Sequence, residues 1–206
     1  LSVFKQEVPE RYFDVGIAEE HAALFACGMA TRGLRPFLAI YSTFMQRAYD
    51  MIIHDMAIQD LPVRLCMDRG GLSGDDGPTH HGLFDIAYLR PVPGLVHMQP
   101  KDEDEFVDML WTMANYDKGP IAIRYPRGNG PGVTPKDKPK LLQIGKAELL
   151  AEGTDVALVG LGAMFEIAEK AKAELEKQGL SVALINPRWI KPLDATLIEA
   201  QARRAG

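Results

Sequence analysis

The sequence predicts an α/β protein: a mostly parallel sheet with helices on both faces, followed by a second, truncated α/β domain. Apolar runs of strand length alternate with apolar residues at helical spacing. The alternation is interrupted once, by a stretch dense in Pro and Gly, and then resumes. A composition of 47% hydrophobic and 25% charged residues over 206 positions is typical of a globular protein.

The predicted elements of the first domain, residues 1–130, alternate along the chain. The strand candidates are Tyr12–Val15, Pro36–Ile40, Val63–Met67, Leu95–Met98 and Ile121–Tyr125. The helix candidates are Ala18–Thr31, Phe44–Ile58 and Glu103–Ala114. Because strands separated by helices are joined by crossover connections, we expect most of them to pair in parallel.

Residues 131–144 form a predicted linker, since the run from Pro126 to Pro139 lacks periodicity. The second domain, residues 145–206, has two strand and two helix candidates. They are Asp155–Gly160, Met164–Gln178, Val182–Asn186 and a helix from about Asp194. So few elements cannot close a sheet, and the first residue is Leu1 rather than Met, so we expect the chain to be part of something longer.

Charge and cysteine content exclude several classes of function. A net charge of -5 without a long basic run argues against nucleic acid as the main partner. The basic cluster Lys136–Lys140 is interrupted by Asp and Pro, and a solvated linker explains it best. No apolar run is long enough to span a membrane. Only two cysteines, both in apolar surroundings, fit a reducing, cytoplasmic location.

Two acids and a histidine, Glu19, Glu20 and His21, begin the first long predicted helix. Carboxylates at a helix N-terminus interact favourably with the helix dipole, and this accounts for an acid that faces water. It does not account for an acid on the apolar face, which needs a specific partner or a role in sharing a proton.

The segment IYSTFMQRAYD, from Ile40, passes from a strand into a helix through residues that often cap helices. Ligands of open α/β sheets bind just beyond the carboxyl ends of strands. Tyr41, Phe44 and Arg47 therefore lie where a ligand would be held, with a ring face and an anion-binding guanidinium. Core aromatics and a surface arginine remain an equal alternative.

The segment DRGGLSGDDGPTHHG, from Asp68 to Gly82, is a glycine-rich loop that directly follows a strand. A structural turn needs the glycines but not this density of Asp, Arg and His, so a functional loop is favoured. A metal site from Asp75, Asp76, His80 and His81 is disfavoured, because no ligand set is completed elsewhere and Arg69 would oppose a cation.

Two arginines, Arg124 and Arg127, lie near the end of the predicted strand IAIRY and suit a phosphate or carboxylate, although an inter-domain salt bridge is an alternative. The segment VGLGAMFE, from Val159, has two glycines between a strand and a helix. Phe165 stands where a dinucleotide-binding fingerprint has its third glycine, so a tight turn explains the segment better than nucleotide binding.

Together, FDVGIAEEHA, IYSTFMQRAYD, DRGGLSGDDGPTHHG and RYPRGN resemble the 1-deoxy-D-xylulose-5-phosphate synthase family of the transketolase-like, thiamine diphosphate-dependent superfamily. The resemblance covers essentially the whole chain, including the run NPRWIKPLD in the second domain. Residues 1–130 resemble the pyrimidine-binding domain, and the remainder resembles the start of the C-terminal domain. The run from Asp76 to Gly82 is fairly specific to this family.

The resemblance implies that Glu19 hydrogen-bonds a ring nitrogen of the cofactor's aminopyrimidine and favours the tautomer that removes the thiazolium proton. Phe44 would stack on that ring, with Ile17 and Tyr41 also contacting the cofactor. Glu20 would be the acid that faces solvent.

For the substrate, the resemblance implies that Tyr41, Arg69 and Arg127 hold the phosphate end of glyceraldehyde 3-phosphate, with Arg47 close by. Asp76 and His80 would lie beside the reacting carbonyl. The roles of Asp75 and His81 stay open, with His81 expected to face solvent, and Arg124 is the weaker phosphate candidate.

The implied reaction joins pyruvate and glyceraldehyde 3-phosphate into 1-deoxy-D-xylulose 5-phosphate with loss of carbon dioxide. Mg²⁺ and the cofactor's diphosphate would be held by an N-terminal domain with no counterpart in this sequence, so the chain alone is expected to be inactive. A homodimer is expected. The alternatives are transketolase or a dehydrogenase beta subunit, and a non-catalytic interaction module.

Overall fold

The computed structural model describes residues 1–205 and confirms the α/β fold class. The strands are β1 (Phe37–Tyr41), β2 (Arg64–Asp68), β3 (Val96–Met98), β4 (Ile121–Arg124), β5 (Glu148–Ala151), β6 (Val156–Val159), β7 (Val182–Asn186) and β8 (Trp189–Lys191). The helices are α1 (Ser2–Glu7), α2 (Glu19–Thr31), α3 (Ser42–Met45), α4 (Tyr49–Met51), α5 (Asp85–Leu89), α6 (Glu103–Ala114), α7 (Met164–Lys177) and α8 (Ala195–Arg204).

The larger sheet has the strand order β1-β2-β4-β3-β8, and its first four strands pair in parallel. The last strand, β8, comes from the distal part of the chain and pairs antiparallel with β3. A smaller sheet has the order β5-β7-β6, with β5 antiparallel to β7. The parallel strands of the larger sheet direct their carboxyl ends to one edge, so the loops that follow them lie side by side.

Two hydrophobic cores cover the two faces of the larger sheet. On β2, the side chains of Leu65 and Met67 join one core and that of Cys66 joins the other, as the two-residue period of a strand requires. The first core contains α2 and the helical segments after β1, and the second contains α6. Helices therefore pack on both faces, as the sequence predicts.

The predicted helix Phe44–Ile58 is present, but its geometry changes along its length. After α3 the chain passes through a 3₁₀ turn (Gln46–Ala48), α4 and a π-helical turn (Ile52–Ala57). Its fully buried side chains are Met45, Ala48, Ile52 and Met56. Their spacing of three or four residues maintains one apolar face through these changes of winding. No helix within residues 1–205 combines the length and apolarity that a membrane crossing requires.

The predicted strand Tyr12–Val15 is wrong, because these residues pair with no strand within the described part of the chain. Local contacts replace sheet pairing: the backbone N–H of Gly16 donates to Asp14 Oδ1 at 3.0 Å. The ring of Phe13 is 57% exposed and packs edge-on against Phe25 on α2. Four short elements, α1, α5, β5 and β8, were not predicted.

The linker lies along α6 and is held by its polar face. Glu103 accepts hydrogen bonds from the backbone of Gly132 and Val133, and Asp108 accepts one from that of Lys140. Lys136 forms ion pairs with Asp108 at 2.8 Å and with Asp104 at 2.6 Å. The basic linker is therefore partly neutralised by helix acids rather than being simply solvated.

Candidate active site

Glu19 is the first residue of α2 and lies on the buried face of that helix. The other buried residues of α2 are Ala22, Ala23, Ala26, Cys27 and Ala30. Glu19 continues their stripe by one turn, and this spacing explains why its side chain is only 11% exposed. Glu20 is exposed to solvent, as expected for an acid in the first turn of a helix.

The buried Glu19 carboxylate contacts a guanidinium from a different helical segment. Arg47 donates from Nη1 to Glu19 Oε1 at 2.7 Å. The same guanidinium lies over the ring of Phe44, with its Cζ atom 4.8 Å from the ring centroid. One planar cation therefore contacts both an acid and an aromatic face.

Three aromatic rings cluster beyond the carboxyl end of β1. Tyr41 and Phe44 stack with centroids 5.9 Å apart, since α3 begins immediately after β1 and turns both rings to the same side. The imidazole of His80, from the loop after β2, lies edge-on to Phe44 at 5.3 Å and tilted against Tyr41 at 6.4 Å. The segment after β1 and the glycine-rich loop after β2, both predicted to be functional, therefore meet at this point.

Asp76 lies between two arginines that enter from different strand ends. Its Oδ2 atom is 3.2 Å from Arg69 Nε and 2.9 Å from Arg127 Nε. Arg69 also has its Cζ atom 3.9 Å from the centroid of the Tyr41 ring. These two partly exposed guanidinium groups share the Asp76 carboxylate and have the donor geometry to bind a phosphate or carboxylate ligand.

The backbone conformation of Arg69 is unusual for a residue other than glycine, with φ at 57°. Asp68, the last residue of β2, stabilises it by accepting the Arg69 backbone N–H at 2.7 Å and its guanidinium at 2.5 Å. Desolvation lowers the pKa of Arg69, but the Asp68 and Asp76 carboxylates outweigh it and raise the pKa. Asp68 was not among the predicted site residues, although its position at the end of β2 could have indicated a role.

The loop that carries Asp76 and His80 is closed at its base by glycines. Gly71 and Gly82 exchange two backbone hydrogen bonds, each 2.8 Å long. A Cβ atom on Gly82 would lie 2.2 Å from the carbonyl oxygen of Arg69, so no larger residue fits this contact. The loop is therefore a closed structure with defined ends.

Internal hydrogen bonds also correct the expectation that His81 faces solvent. Its ring is partly buried, and Nδ1 accepts the backbone N–H of Ser73 at 3.0 Å. The hydroxyl of Ser73 donates to the carbonyl of His80 at 2.7 Å. Asp75 is exposed and has no role in these contacts. His81 thus helps to shape the loop, and His80 is the histidine directed to the aromatic cluster.

The phosphate-binding interpretation of Arg124 is wrong, because this residue is buried beneath the loop. It donates from Nε to Asp85 Oδ2 at 2.6 Å and from Nη1 to Gln99 Oε1 at 2.6 Å. Arg124 is 6% exposed and Asp85 is fully buried. Arg124 is the last residue of β4 and its side chain is buried beneath the loop, whereas Arg127 lies in the irregular segment after the strand and is partly exposed. Asp85 and Gln99 were missed because nothing local to either signals this partner.

Eight of the nine predicted site residues form one series of contacts, which runs from Glu19 through Arg47, the aromatic cluster and Arg69 to Asp76 and Arg127. The exception is Ile17, which is 94% exposed in the turn before α2. Its proposed contact with the cofactor stays a prediction. Within residues 1–205, no three His, Cys, Asp or Glu side chains converge as a metal site would require.

Neither cysteine is suited to nucleophilic catalysis. Burial, reinforced by the charge of Asp55, raises the pKa of Cys27 to about 11, and burial raises that of Cys66 to about 12. Both thiols are therefore protonated at neutral pH and pack as core residues.

The geometry around Glu19 fits an aminopyrimidine ring. Such a ring needs a carboxylate beside a ring nitrogen and an aromatic face to stack on. The Arg47 guanidinium, itself planar and rich in nitrogen, contacts both Glu19 and Phe44. The acid and the aromatic face are therefore close enough for one planar group to contact both.

Comparison with known proteins places these residues in a family. The family described as "Transketolase, pyrimidine binding domain" matches residues 1–132, and "Transketolase, C-terminal domain" matches residues 145–206. Proteins named 1-deoxy-D-xylulose-5-phosphate synthase from Acidobacterium capsulatum and Thermomicrobium roseum are 60% and 58% identical over 99% and 100% of this chain. The chain spans 32% and 33% of their lengths.

A similar fold occurs in a solved structure described as "Split gene transketolase, inactive beta4 tetramer". It superposes with a TM-score of 0.88 at 29% identity, over 98% of this chain and 65% of the other. The sequence matches confirm the resemblance inferred from the four motifs. The chain belongs to the transketolase pyrimidine-binding domain family, and its similarity to 1-deoxy-D-xylulose-5-phosphate synthases extends over its whole length.

Proposed function

We propose that this chain supplies the pyrimidine-binding and acceptor-binding half of a synthase that joins pyruvate and glyceraldehyde 3-phosphate. The products would be 1-deoxy-D-xylulose 5-phosphate, a precursor of isoprenoids, thiamine and pyridoxal, and carbon dioxide. The observation that supports this most directly is the series of contacts from Glu19 to Arg127. It combines an acid and ring suited to thiamine diphosphate with arginines suited to a sugar phosphate.

Glu19 would hold the aminopyrimidine through a hydrogen bond to a ring nitrogen, with Phe44 against the ring face. When bound, thiamine diphosphate supplies the carbon nucleophile that the reaction needs. Because the Glu19 carboxylate is 11% exposed, little water would compete for that bond. Arg47 would give up its hydrogen bond to Glu19, or keep it while Glu19 also bonds the aminopyrimidine. Its guanidinium would then be available to the substrate.

Arg69 and Arg127 would bind the phosphate of the acceptor, with Tyr41 beside them. Asp76 keeps the two guanidinium groups in place through its 3.2 Å and 2.9 Å contacts. A phosphate, with more acceptor oxygens and more charge than a carboxylate, would compete well for these donors. Such an exchange would free Asp76, together with His80, to orient the acceptor carbonyl or to move a proton there.

The site would be completed by a diphosphate-binding domain, which would hold Mg²⁺ and the cofactor's diphosphate. We propose that this domain lies in a longer polypeptide that contains this chain, or in a second chain, and the two parts together are called the complete enzyme below. This chain alone would be inactive. We further propose a cytoplasmic homodimer, a pyrimidine-binding domain at residues 1–130, a linker at 131–144 and an incomplete C-terminal domain at 145–206.

A product assay tests the proposal. The complete enzyme is supplied with thiamine diphosphate, Mg²⁺, pyruvate and glyceraldehyde 3-phosphate. Carbon dioxide and 1-deoxy-D-xylulose 5-phosphate should both appear. Carbon dioxide without the sugar would refute the acceptor-site roles but keep those of Glu19 and the cofactor. Cofactor binding without turnover would favour a non-catalytic module.

A further inference from the structure

We infer that Arg124, buried beneath the glycine-rich loop, is a positioning residue that sets where Asp76 and His80 stand relative to the acceptor. This inference rests on the proposed function. Arg124 lies at the end of β4, and its Nη2 atom donates to the carbonyl of Gly82 at 3.0 Å. The carbonyl of Gly82 also accepts the backbone N–H of Gly71. Arg124 therefore bonds the point at which the loop closes.

Both ends of the loop contact the same guanidinium. A Cβ atom on Gly70 would lie 3.2 Å from Arg124 Cζ and Nε, so the first residues of the loop pass directly over the side chain. The backbone N–H of Gly70 donates to the carbonyl of Tyr125, the neighbour of Arg124, at 2.8 Å. Only a residue without a side chain can approach this closely. The start and the end of the loop are thus both held against the end of β4.

The guanidinium is itself immobilised from below. Asp85 accepts two of its hydrogen bonds, at 2.6 Å and 3.3 Å, and Gln99 accepts a third at 2.6 Å. His97, fully buried, has Nε2 3.7 Å from Asp85 Oδ2. With Asp85, Gln99 and Gly82 as acceptors, Arg124 has few alternative orientations. The anchor is preorganised, as a support for reacting groups must be.

A purely structural role is the competing explanation. Gln99 packs against the second domain, since a Cβ atom on Gly162 would lie 2.2 Å from its Cδ. Arg124 could therefore serve only to join the two parts of the chain. The two roles differ in what they affect. If Arg124 only joined the two parts of the chain, its loss would lower the amount of folded enzyme or disturb the cofactor and both substrates alike. The loss of a loop anchor would affect the acceptor and spare the cofactor.

The test replaces the buried pair together, as Asp85→Leu with Arg124→Met, in the complete enzyme. Removing both charges avoids leaving one of them buried without a partner. The matched control is Arg64→Met, which removes another buried arginine from the larger sheet, at the opposite end of β2 and remote from the loop. The measured quantities are KM for glyceraldehyde 3-phosphate, KM for pyruvate and the dissociation constant of thiamine diphosphate.

We expect the double variant to raise KM for glyceraldehyde 3-phosphate by roughly tenfold or more, because small displacements of positioned groups have effects of this size. The pyruvate and cofactor constants should stay within about twofold of wild type, and the control should show no such selectivity. Hydrogen exchange should also be faster for the backbone amides of Gly71 and Gly82 in the double variant only.

Provided that the wild type is active, two results for the double variant would overturn the inference. One is a uniform change in all three constants, and the other is an unchanged KM for glyceraldehyde 3-phosphate. If the wild type forms no product, the proposed function fails, and the hydrogen-exchange comparison still decides whether Arg124 anchors the loop. Should the double variant not fold, Arg124→Lys keeps a cation beside Asp85 but loses the planar fork. The Arg124→Lys variant should show a smaller rise in KM that is again confined to glyceraldehyde 3-phosphate. If this selective rise is absent, Arg124 is not a positioning residue.

Discussion

Two carboxylates in this molecule each bind more than one basic or amide group, yet their surroundings differ. Asp76 contacts Arg69 and Arg127, and these three side chains are 19%, 21% and 41% exposed. Glu105, on α6, accepts hydrogen bonds from Arg188 Nε at 2.6 Å and Asn186 Nδ2 at 2.9 Å, and its side chain is 4% exposed. The chemistry of the two clusters is similar, and their access to water is not.

Under the proposed function, this difference separates a cluster that exchanges its carboxylate for a ligand from one that is structural. Water reaches all three side chains of the Asp76 cluster, and that of Arg127 most, so we expect an anionic ligand to replace Asp76 at lower cost than it could replace Glu105. The Glu105 cluster joins α6 to β7 and the segment before β8, and its charges cannot be left unpaired in the interior. Burial, rather than residue type, therefore decides which arginines can serve a substrate.

The largest effect that we predict lies at the site itself, for Glu19→Gln. An amide cannot act as the acid or base toward the aminopyrimidine, so product formation by the complete enzyme should fall by roughly 10²- to 10⁴-fold. Circular dichroism should show an intact fold, and the exposed Glu20→Gln serves as the matched control with near-wild-type turnover. An unchanged rate in Glu19→Gln would remove Glu19 from the mechanism.

The next largest effect is on stability, at the buried cluster. Glu105→Ala leaves the Asn186 amide without its acceptor and removes one of the two carboxylates that pair with Arg188, the other being Glu148. This loss should lower the free energy of unfolding by about 3 kcal/mol. Urea denaturation measures this change. The same substitution at Asp76 should cost less than about 1 kcal/mol. Equal losses would contradict the assigned difference between the two clusters.

The third effect is a loss of stability at acidic pH, caused by the buried His97. Burial, assisted by the nearby positive charge of Arg124, lowers the pKa of His97 from 6.5 to about 3. Below pH 6.5 the His97 imidazole is protonated in the unfolded chain but stays neutral in the folded chain. The free energy of unfolding therefore falls as the pH drops from 6.5 towards 3. The loss should reach about 2 kcal/mol at pH 5. Urea denaturation of His97→Leu across this range should show a shallower pH dependence, and equal slopes would refute the assignment.

A moderate and selective effect is expected for Arg127→Ala. Loss of one charged hydrogen bond to phosphate should raise KM for glyceraldehyde 3-phosphate by roughly tenfold. Stability should hardly change, because this side chain is 41% exposed. Arg203→Ala, on the exposed face of α8, provides a control with no expected kinetic effect. A rise in KM for pyruvate instead would place the donor, rather than the acceptor, at this arginine.

The smallest effect is predicted for a surface ion pair that neither cluster uses. Lys170 and Glu166 on α7 are 2.5 Å apart, with side chains 72% and 52% exposed. Lys170→Ala should change the free energy of unfolding by only about 0.3 kcal/mol. A loss above about 1 kcal/mol in urea denaturation would show that exposure is a poor guide to the energetics of these ion pairs.

Local sequence patterns were sufficient for most of the larger elements. The strand β7 and the helix α6 were predicted at the same bounds that the structure shows. The strand is a continuous apolar run, the helix has apolar residues at helical spacing, and turn residues flank both. The segment Tyr12–Val15 has the composition of a strand, but strand formation also requires a partner. Conversely, β8 is only three residues long and exists because β3 offers an open edge.

The sequence by itself determined the α/β class, the loops that carry charged residues and the family, because these depend on periodicity and on motifs that are continuous along the chain. The tertiary structure decided which of those residues face a ligand. Arg124 and Arg127 are only three positions apart in the sequence, yet Arg124 is buried in an ion pair with Asp85 and Arg127 is partly exposed to solvent. Burial and pairing arise from segments distant in the chain, and no local pattern encodes them.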